Sequence, residues 1–123
     1  PLVRLDAGLA ERALVNLLDN ALRHTPPGGS VEVAVAQSSE TVEIRVRDTG
    51  EGIAPEILPH VFERFVRADT SRPDDGGAGL GLAIVKRIAT LHGGTVVAES
   101  VPGEGAVFSV AFPIAGPSLA PEP

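Results

Sequence analysis

Between Leu9 and Thr25 the apolar residues Leu14, Leu17, Leu18, Ala21 and Leu22 recur at three- and four-residue steps. That spacing predicts an amphipathic helix with one buried stripe. Asp6 stands where it can cap the helix, or Ala7-Gly8 can form the entry turn, and Pro26-Pro27-Gly28-Gly29 ends it. The period then changes to two. From Ser30 to Ala36, Val31, Val33 and Val35 alternate with Glu32, Ala34 and Ala36, as in a half-buried strand. After the polar Gln37-Ser38-Ser39-Glu40, the stretch from Thr41 to Arg47 turns Val42, Ile44 and Val46 inward and Glu43, Arg45 and Arg47 outward. The short connection predicts an antiparallel pair.

Ala54 to Pro59 carries a proline near the first turn of a short helix, and Phe62 and Phe65 can share one face and anchor the next segment. Leu80, Leu82, Ile84, Val85, Ile88, Ala89 and Leu91 return to helical spacing, and His92-Gly93-Gly94 supplies a glycine cap. Thr95 to Val101 and Ala106 to Pro113 alternate as two further strands around the turn Pro102-Gly103-Glu104-Gly105. The opening Leu2-Val3-Arg4-Leu5 reads as the tail of a strand, so the chain is expected to be an N-terminally truncated fragment of a longer protein. One domain is expected over 1–114, with 115–123, rich in proline and without periodicity, as a disordered tail.

Composition narrows the function. A chain of 123 residues suffices for one two-layer core. It has no cysteine, hence no disulfide framework or thiolate metal site, and its three histidines are scattered, which disfavours zinc. A formal charge of −6, with Trp and Tyr absent and only four Phe, argues against a nucleic-acid surface. No apolar run approaches the roughly 18 residues of a membrane span, so no direct membrane contact is expected.

Asn16, Asn20 and Arg23 fall on a second stripe of the first helix, within an arc of roughly 60°, and four residues rise about 6 Å. Asn is a mediocre helix former. Two of them a turn apart are either solvated or present carbonyl oxygens to a cation and amides to an anion. Asp48-Thr49-Gly50-Glu51-Gly52-Ile53 ends a strand with glycines two apart, either a plain turn or a place where something flat or charged approaches the backbone. Arg67 to Ala78 is a long polar loop containing Arg67 and Arg72. Gly77, Gly79 and Gly81 then open the next helix, where free amides and the dipole favour an anion; the alternative is a flexible hinge. No Lys-Ser or Lys-Thr follows, so the P-loop pattern is not met.

In that order the four features resemble the catalytic, ATP-binding domain of bacterial two-component sensor histidine kinases. Their superfamily also holds DNA gyrase, the heat-shock chaperone ATPase and the mismatch-repair ATPase. LVNLLDNALRHTP resembles the N box, DTGEGI the G1 box, VFERF the F box, and GAGLGLAIVKRI with HGG the G2 box. The match covers about Leu5 to Pro113.

The resemblance implies an α/β sandwich of the Bergerat ATP-binding type: one mixed five-stranded sheet packed on three helices, with a left-handed crossover and a flexible ATP lid over Arg67 to Ala78. It implies ATP and Mg²⁺ as cofactors. By position, Asp48 would accept the adenine amino group. Gly50 and Gly52 would let the backbone approach the ring, Ile53 would cover it, and His24 would sit beside it. Asn20 would place its oxygen on Mg²⁺, and Asn16 and Arg23 would hold phosphates. Gly77, Gly79, Leu80, Gly81 and Leu82 would offer amides to the triphosphate, with Arg67 or Arg72 reaching the γ-phosphate.

In the hydrolysing relatives a Glu four residues before the metal-binding Asn activates water; here that residue is Asn16, which cannot take a proton. The resemblance therefore implies phosphotransfer to a histidine of a separate helical-hairpin domain, with a response regulator downstream. It implies a cytoplasmic domain, monomeric in isolation and with little turnover alone, from a homodimeric parent that can be membrane-anchored. His24 stands where many relatives carry Tyr, and Ala106 where they often carry Thr. Two alternatives remain open: an anti-sigma-type serine kinase on the same fold, and a nucleotide-dependent interaction module without catalysis.

Overall fold

The computed structural model describes residues 6–63 and 81–113. The first helix, α1, runs over Ala7–His24. The strands β1 (Val31–Gln37) and β2 (Thr41–Asp48) follow, then a single 3-10 turn at Leu58–His60. The second helix, α2 (Gly81–Leu91), leads into β3 (Thr95–Val101) and β4 (Gly105–Pro113). The strands lie in the order β1-β2-β4-β3, every neighbouring pair antiparallel, and both helices pack on one face.

The sandwich of helices on a sheet is the architecture expected. Among the described residues, however, the sheet has four strands rather than five and is antiparallel rather than mixed. The strand tail expected at Leu2–Leu5 lies outside those residues. Among the same residues there are two α-helices rather than three. The segment around Pro55 makes one turn, with the Ile57 and Leu58 amides both donating to the Ala54 carbonyl oxygen. Pro55 and Pro59 bring no amide with which to extend it.

Antiparallel register sets the helix-facing rows of the sheet. Val33, Val46, Phe108 and Ala98 form one row, and Val35, Ile44, Val110 and Val96 the next. Val46, Val110 and Phe112 are fully buried, together with Ala13, Leu17 and Ala21 of α1 and Val85 of α2. Each Val, Leu or Phe buried in this way contributes about 1.5–3 kcal/mol. Phe62 meets Phe108 edge-on, with ring centroids 6.1 Å apart, which ties the segment after the 3-10 turn to the sheet. Phe65 lies outside the described residues.

Two expectations about burial change. The buried stripe of α1 is Ala13, Leu17 and Ala21, while Leu22 is 64% exposed. The helix packs against α2 as well as β2, and this rotates its buried arc toward the flank that carries Asn16 and Asn20. β1, expected to be half-buried, leaves Val33 and Val35 47% and 68% exposed. It stands at one end of the strand order, and α1 lies mainly over β2.

Candidate functional site

Asp48 follows Val42, Ile44 and Val46 at the two-residue period of β2, so its carboxylate points to the helix side, where it is 3% exposed. Its Oδ1 accepts the Gly50 amide at 2.8 Å. Cross-strand neighbours extend the row to Val31 on one side and to Ala106 and Ser100 on the other. None of these side chains is cationic. A buried carboxylate held by a backbone amide, with no ion pair among the described residues, is suited to accept from a donor on a ligand.

The loop after Asp48 is fastened on two sides. The Thr49 amide donates to the Ser30 carbonyl oxygen at 3.1 Å, and the Ser30 amide to Thr49 Oγ1 at 2.9 Å. The Ile53 amide donates to Ser100 Oγ at 2.7 Å, while the Ser100 hydroxyl donates to the Gly105 carbonyl oxygen at 3.2 Å. The Gly103 amide reaches the Glu51 carbonyl oxygen at 2.7 Å. Both glycines of the motif have a steric reason. A Cβ at Gly50 would fall on the His24 carbonyl oxygen, so no larger residue fits there while α1 keeps its place. Gly52 adopts φ +79°, and its Cβ would meet the Val101 carbonyl oxygen. Ile53 is buried, and His24 Nδ1 lies 3.5 Å from Glu51 Oε2 on the outside of the loop.

Asn16 sits two turns before the end of α1, about 12 Å from His24 along the axis. Its Nδ2 is buried without a hydrogen-bond partner among the described residues. The Cγ of the same side chain is 4.0 Å from where a Cβ of Gly81 would be, so Asn16 adjoins the first described residue of α2. Leaving a buried donor unpaired costs roughly 1–3 kcal/mol. The residues present fit an anionic ligand here: a free amide donor beside the N-terminal end of an 11-residue helix. Asn20, one turn on, is half-buried, and its carbonyl oxygen is the kind of neutral ligand Mg²⁺ accepts alongside phosphates and water. Arg23 reaches Asp19 at 3.0 Å on the exposed side. Gly81 and Leu82 are half-buried at the start of α2. Arg67, Arg72, Gly77, Gly79 and Leu80 lie outside the described residues.

The chain thus carries Asp48, Gly50, Gly52, Ile53 and His24 at one end of α1, and Asn16, Asn20 and Gly81 farther along it. A family model described as histidine kinase-, DNA gyrase B-, and HSP90-like ATPase matches residues 5–116. The chain belongs to this ATPase family. Among named proteins it is 49% identical over 111 residues to the signal transduction histidine-protein kinase AfsQ2 of Streptomyces coelicolor, covering 89% of this chain and 20% of that one. The chain therefore spans about a fifth of that curated relative. Among solved structures, the mycobacterial sensor histidine kinase MprB superposes with a TM-score of 0.81 at 37% identity, covering 91% of this chain and 76% of that one. Full-length ShkA in complex with AMPPNP gives 0.77 at 36% identity, covering 89% of this chain and 22% of that one.

Membership of the ATPase family carries ATP binding with it. Sequence reasoning missed Ser100, whose hydroxyl links the Asp48 loop to the β3–β4 hairpin. Its signal was legible: it shares a face with Val96 and Ala98, so it is a polar residue in an apolar row.

Proposed function

We propose that this chain binds Mg²⁺-ATP along α1, with the base at Asp48 and the phosphates at Asn16, and supplies the γ-phosphate to a histidine. That histidine belongs to a separate helical domain of a parent kinase. The observation that carries the reading is the buried, unpartnered Asn16 amide beside the start of α2. It supports a phosphate end distinct from the base end, and because Asn16 is an amide it offers no base to activate water. ShkA, solved in complex with AMPPNP, supports the choice of nucleotide.

Bound Mg²⁺-ATP would supply the phosphoryl group and the charge that offsets it. The chain's own residues orient it. The Asp48 carboxylate accepts from the base, and the Gly50 and Gly52 backbone leaves room for it. Asn20 offers its side-chain oxygen to Mg²⁺, and Asn16 its amide to a phosphate oxygen. Gly81 and Leu82, with Gly77, Gly79 and Leu80, offer backbone amides, and Arg67 or Arg72 meets the γ-phosphate. Arg23 helps to hold the phosphates, and His24, at the end of α1, sits beside the base. Such a site acts by positioning and charge neutralisation. The parent would be a cytoplasmic signalling kinase that acts as a homodimer and passes the phosphoryl group to a response regulator.

Calorimetric titration of Mg²⁺-ATP into the chain, beside Asp48→Ala and Asn20→Ala, tests this reading. The native chain is expected to bind, Asp48→Ala to lose binding, and Asn20→Ala to lose its dependence on Mg²⁺. A folded native chain that binds no nucleotide at millimolar ATP defeats the proposal.

A further inference from the structure

His92 follows the last residue of α2 and lies against the start of α1. Its Nδ1 is 2.8 Å from the Ile88 carbonyl oxygen, and its Nε2 is 3.1 Å from the Asp6 backbone nitrogen. A carbonyl oxygen can only accept and a backbone amide can only donate. Nδ1 therefore carries the proton and Nε2 offers its lone pair, as in the neutral Nδ1–H tautomer. The ring stands edge-on to Phe112, with centroids 5.5 Å apart and planes at 83°, and Phe112 is fully buried. The helix end beneath it is fixed as well: the Gly94 amide donates to the Ala89 carbonyl oxygen at 2.7 Å. The imidazole is thus oriented by α2 and the core, and spends its remaining lone pair on Asp6.

Asp6 is the N-cap of α1. Its Oδ1 accepts the Leu9 amide at 3.0 Å, and its carbonyl oxygen accepts the Ala10 amide at 2.9 Å. Its own amide points away from the helix it caps, and an amide in that position ordinarily donates to water. Here it is held by a residue 86 positions away. We propose that His92 is a positioning residue: it pins the chain at its entry into α1 and so sets the angle at which the phosphate end of the site is presented to the phosphoacceptor domain. The tether stands on geometry. Its consequence for phosphotransfer rests on the function proposed above.

Two substitutions separate tether from packing. The amide of His92→Asn overlies Nδ1, so it can keep the Ile88 bond but is too short to reach Asp6. His92→Gln extends an amide oxygen to the place of Nε2. Amide hydrogen exchange at Asp6 is expected to quicken about tenfold in His92→Asn and to return near the native rate in His92→Gln. Nitrogen chemical shifts of the native ring are expected to show Nε2 unprotonated. Mg²⁺-ATP affinity is expected to stay native in both variants. In the parent kinase with its helical domain, kcat for autophosphorylation is expected to fall about fivefold in His92→Asn, at unchanged KM for ATP, and to recover in His92→Gln.

An Nε2–H tautomer in the native chain overturns the tether without any variant being made. Unchanged Asp6 exchange in His92→Asn does the same, and so does His92→Gln exchanging as fast as His92→Asn. Native kcat in His92→Asn, with Asp6 exchange quickened, overturns the positioning role. If the native chain binds no Mg²⁺-ATP, the nucleotide reading fails, and the Asp6 exchange rates still decide the tether.

Discussion

Asp48 and Asn16 are both polar side chains turned toward a largely apolar interior, yet their surroundings differ. Around Asp48, the Gly50 amide, Ser100, Thr49, Ser30 and the β3–β4 turn close a network of short hydrogen bonds, much of it backbone. Around Asn16, a buried amide nitrogen has no partner among the described residues. On the function proposed above, the first region is finished before a ligand arrives and the second would be completed by one. A flat, weakly charged base is selected by shape and a few fixed contacts, which backbone supplies well. A triphosphate carries enough charge to repay an open donor when it binds, so the chain can tolerate that donor unpaired beforehand.

Substitutions can break or sharpen this contrast. Gly50→Ala is expected to have the largest effect, about 3 kcal/mol of stability, because the new Cβ meets a backbone carbonyl that cannot give way. Chemical denaturation measures it, and a loss below 1 kcal/mol would mean the Asp48 end is looser than its hydrogen bonds imply. Asp48→Ala is expected to weaken Mg²⁺-ATP binding about 100-fold, or about 2.8 kcal/mol, by calorimetry. Near-native affinity in that variant would remove Asp48 from base recognition.

Ser100→Ala leaves the Ile53 amide unpaired and is expected to cost about 1.5 kcal/mol in the same denaturation measurement. Asn16→Leu should act in the opposite sense on stability. Replacing an orphaned donor with an apolar group of similar size is expected to stabilise the free chain by about 1 kcal/mol while weakening Mg²⁺-ATP binding about tenfold. A drop in melting temperature would show instead that Asn16 finds a partner in the free chain, and the two regions would then be alike.

Much of this was legible in the sequence. Strong periodicity located α1, β2, β3 and β4, and the proline-glycine runs located their ends. The Asp6 cap followed from residue type and spacing, and is seen in the bond from the Leu9 amide. The burial of Val33, Val35 and Leu22 was not legible, because alternation reports which face a residue is on and says nothing of what covers that face. The same limit hid the rotation of α1, which depends on α2, an element far along the chain that begins at Gly81. Gly50 was recognised as a place of close approach, but the His24 carbonyl that approaches it could not be named from spacing. His92 was read simply as a helix-end residue. Its hydrogen bond to Asp6 joins residues 86 positions apart, and no local pattern announces it.

The 18 residues of α1 make a rod about 27 Å long. It is gripped at both ends: Asp6 is bonded to His92, and the His24 carbonyl abuts Gly50. A rod held this way cannot slide or tilt at one end without straining the other. On the function proposed above, a pull on the chain entering α1 would reach the Asp48 loop, where the base would sit. In the kinase proposed above, α1 would serve as a strut between the joint and the nucleotide.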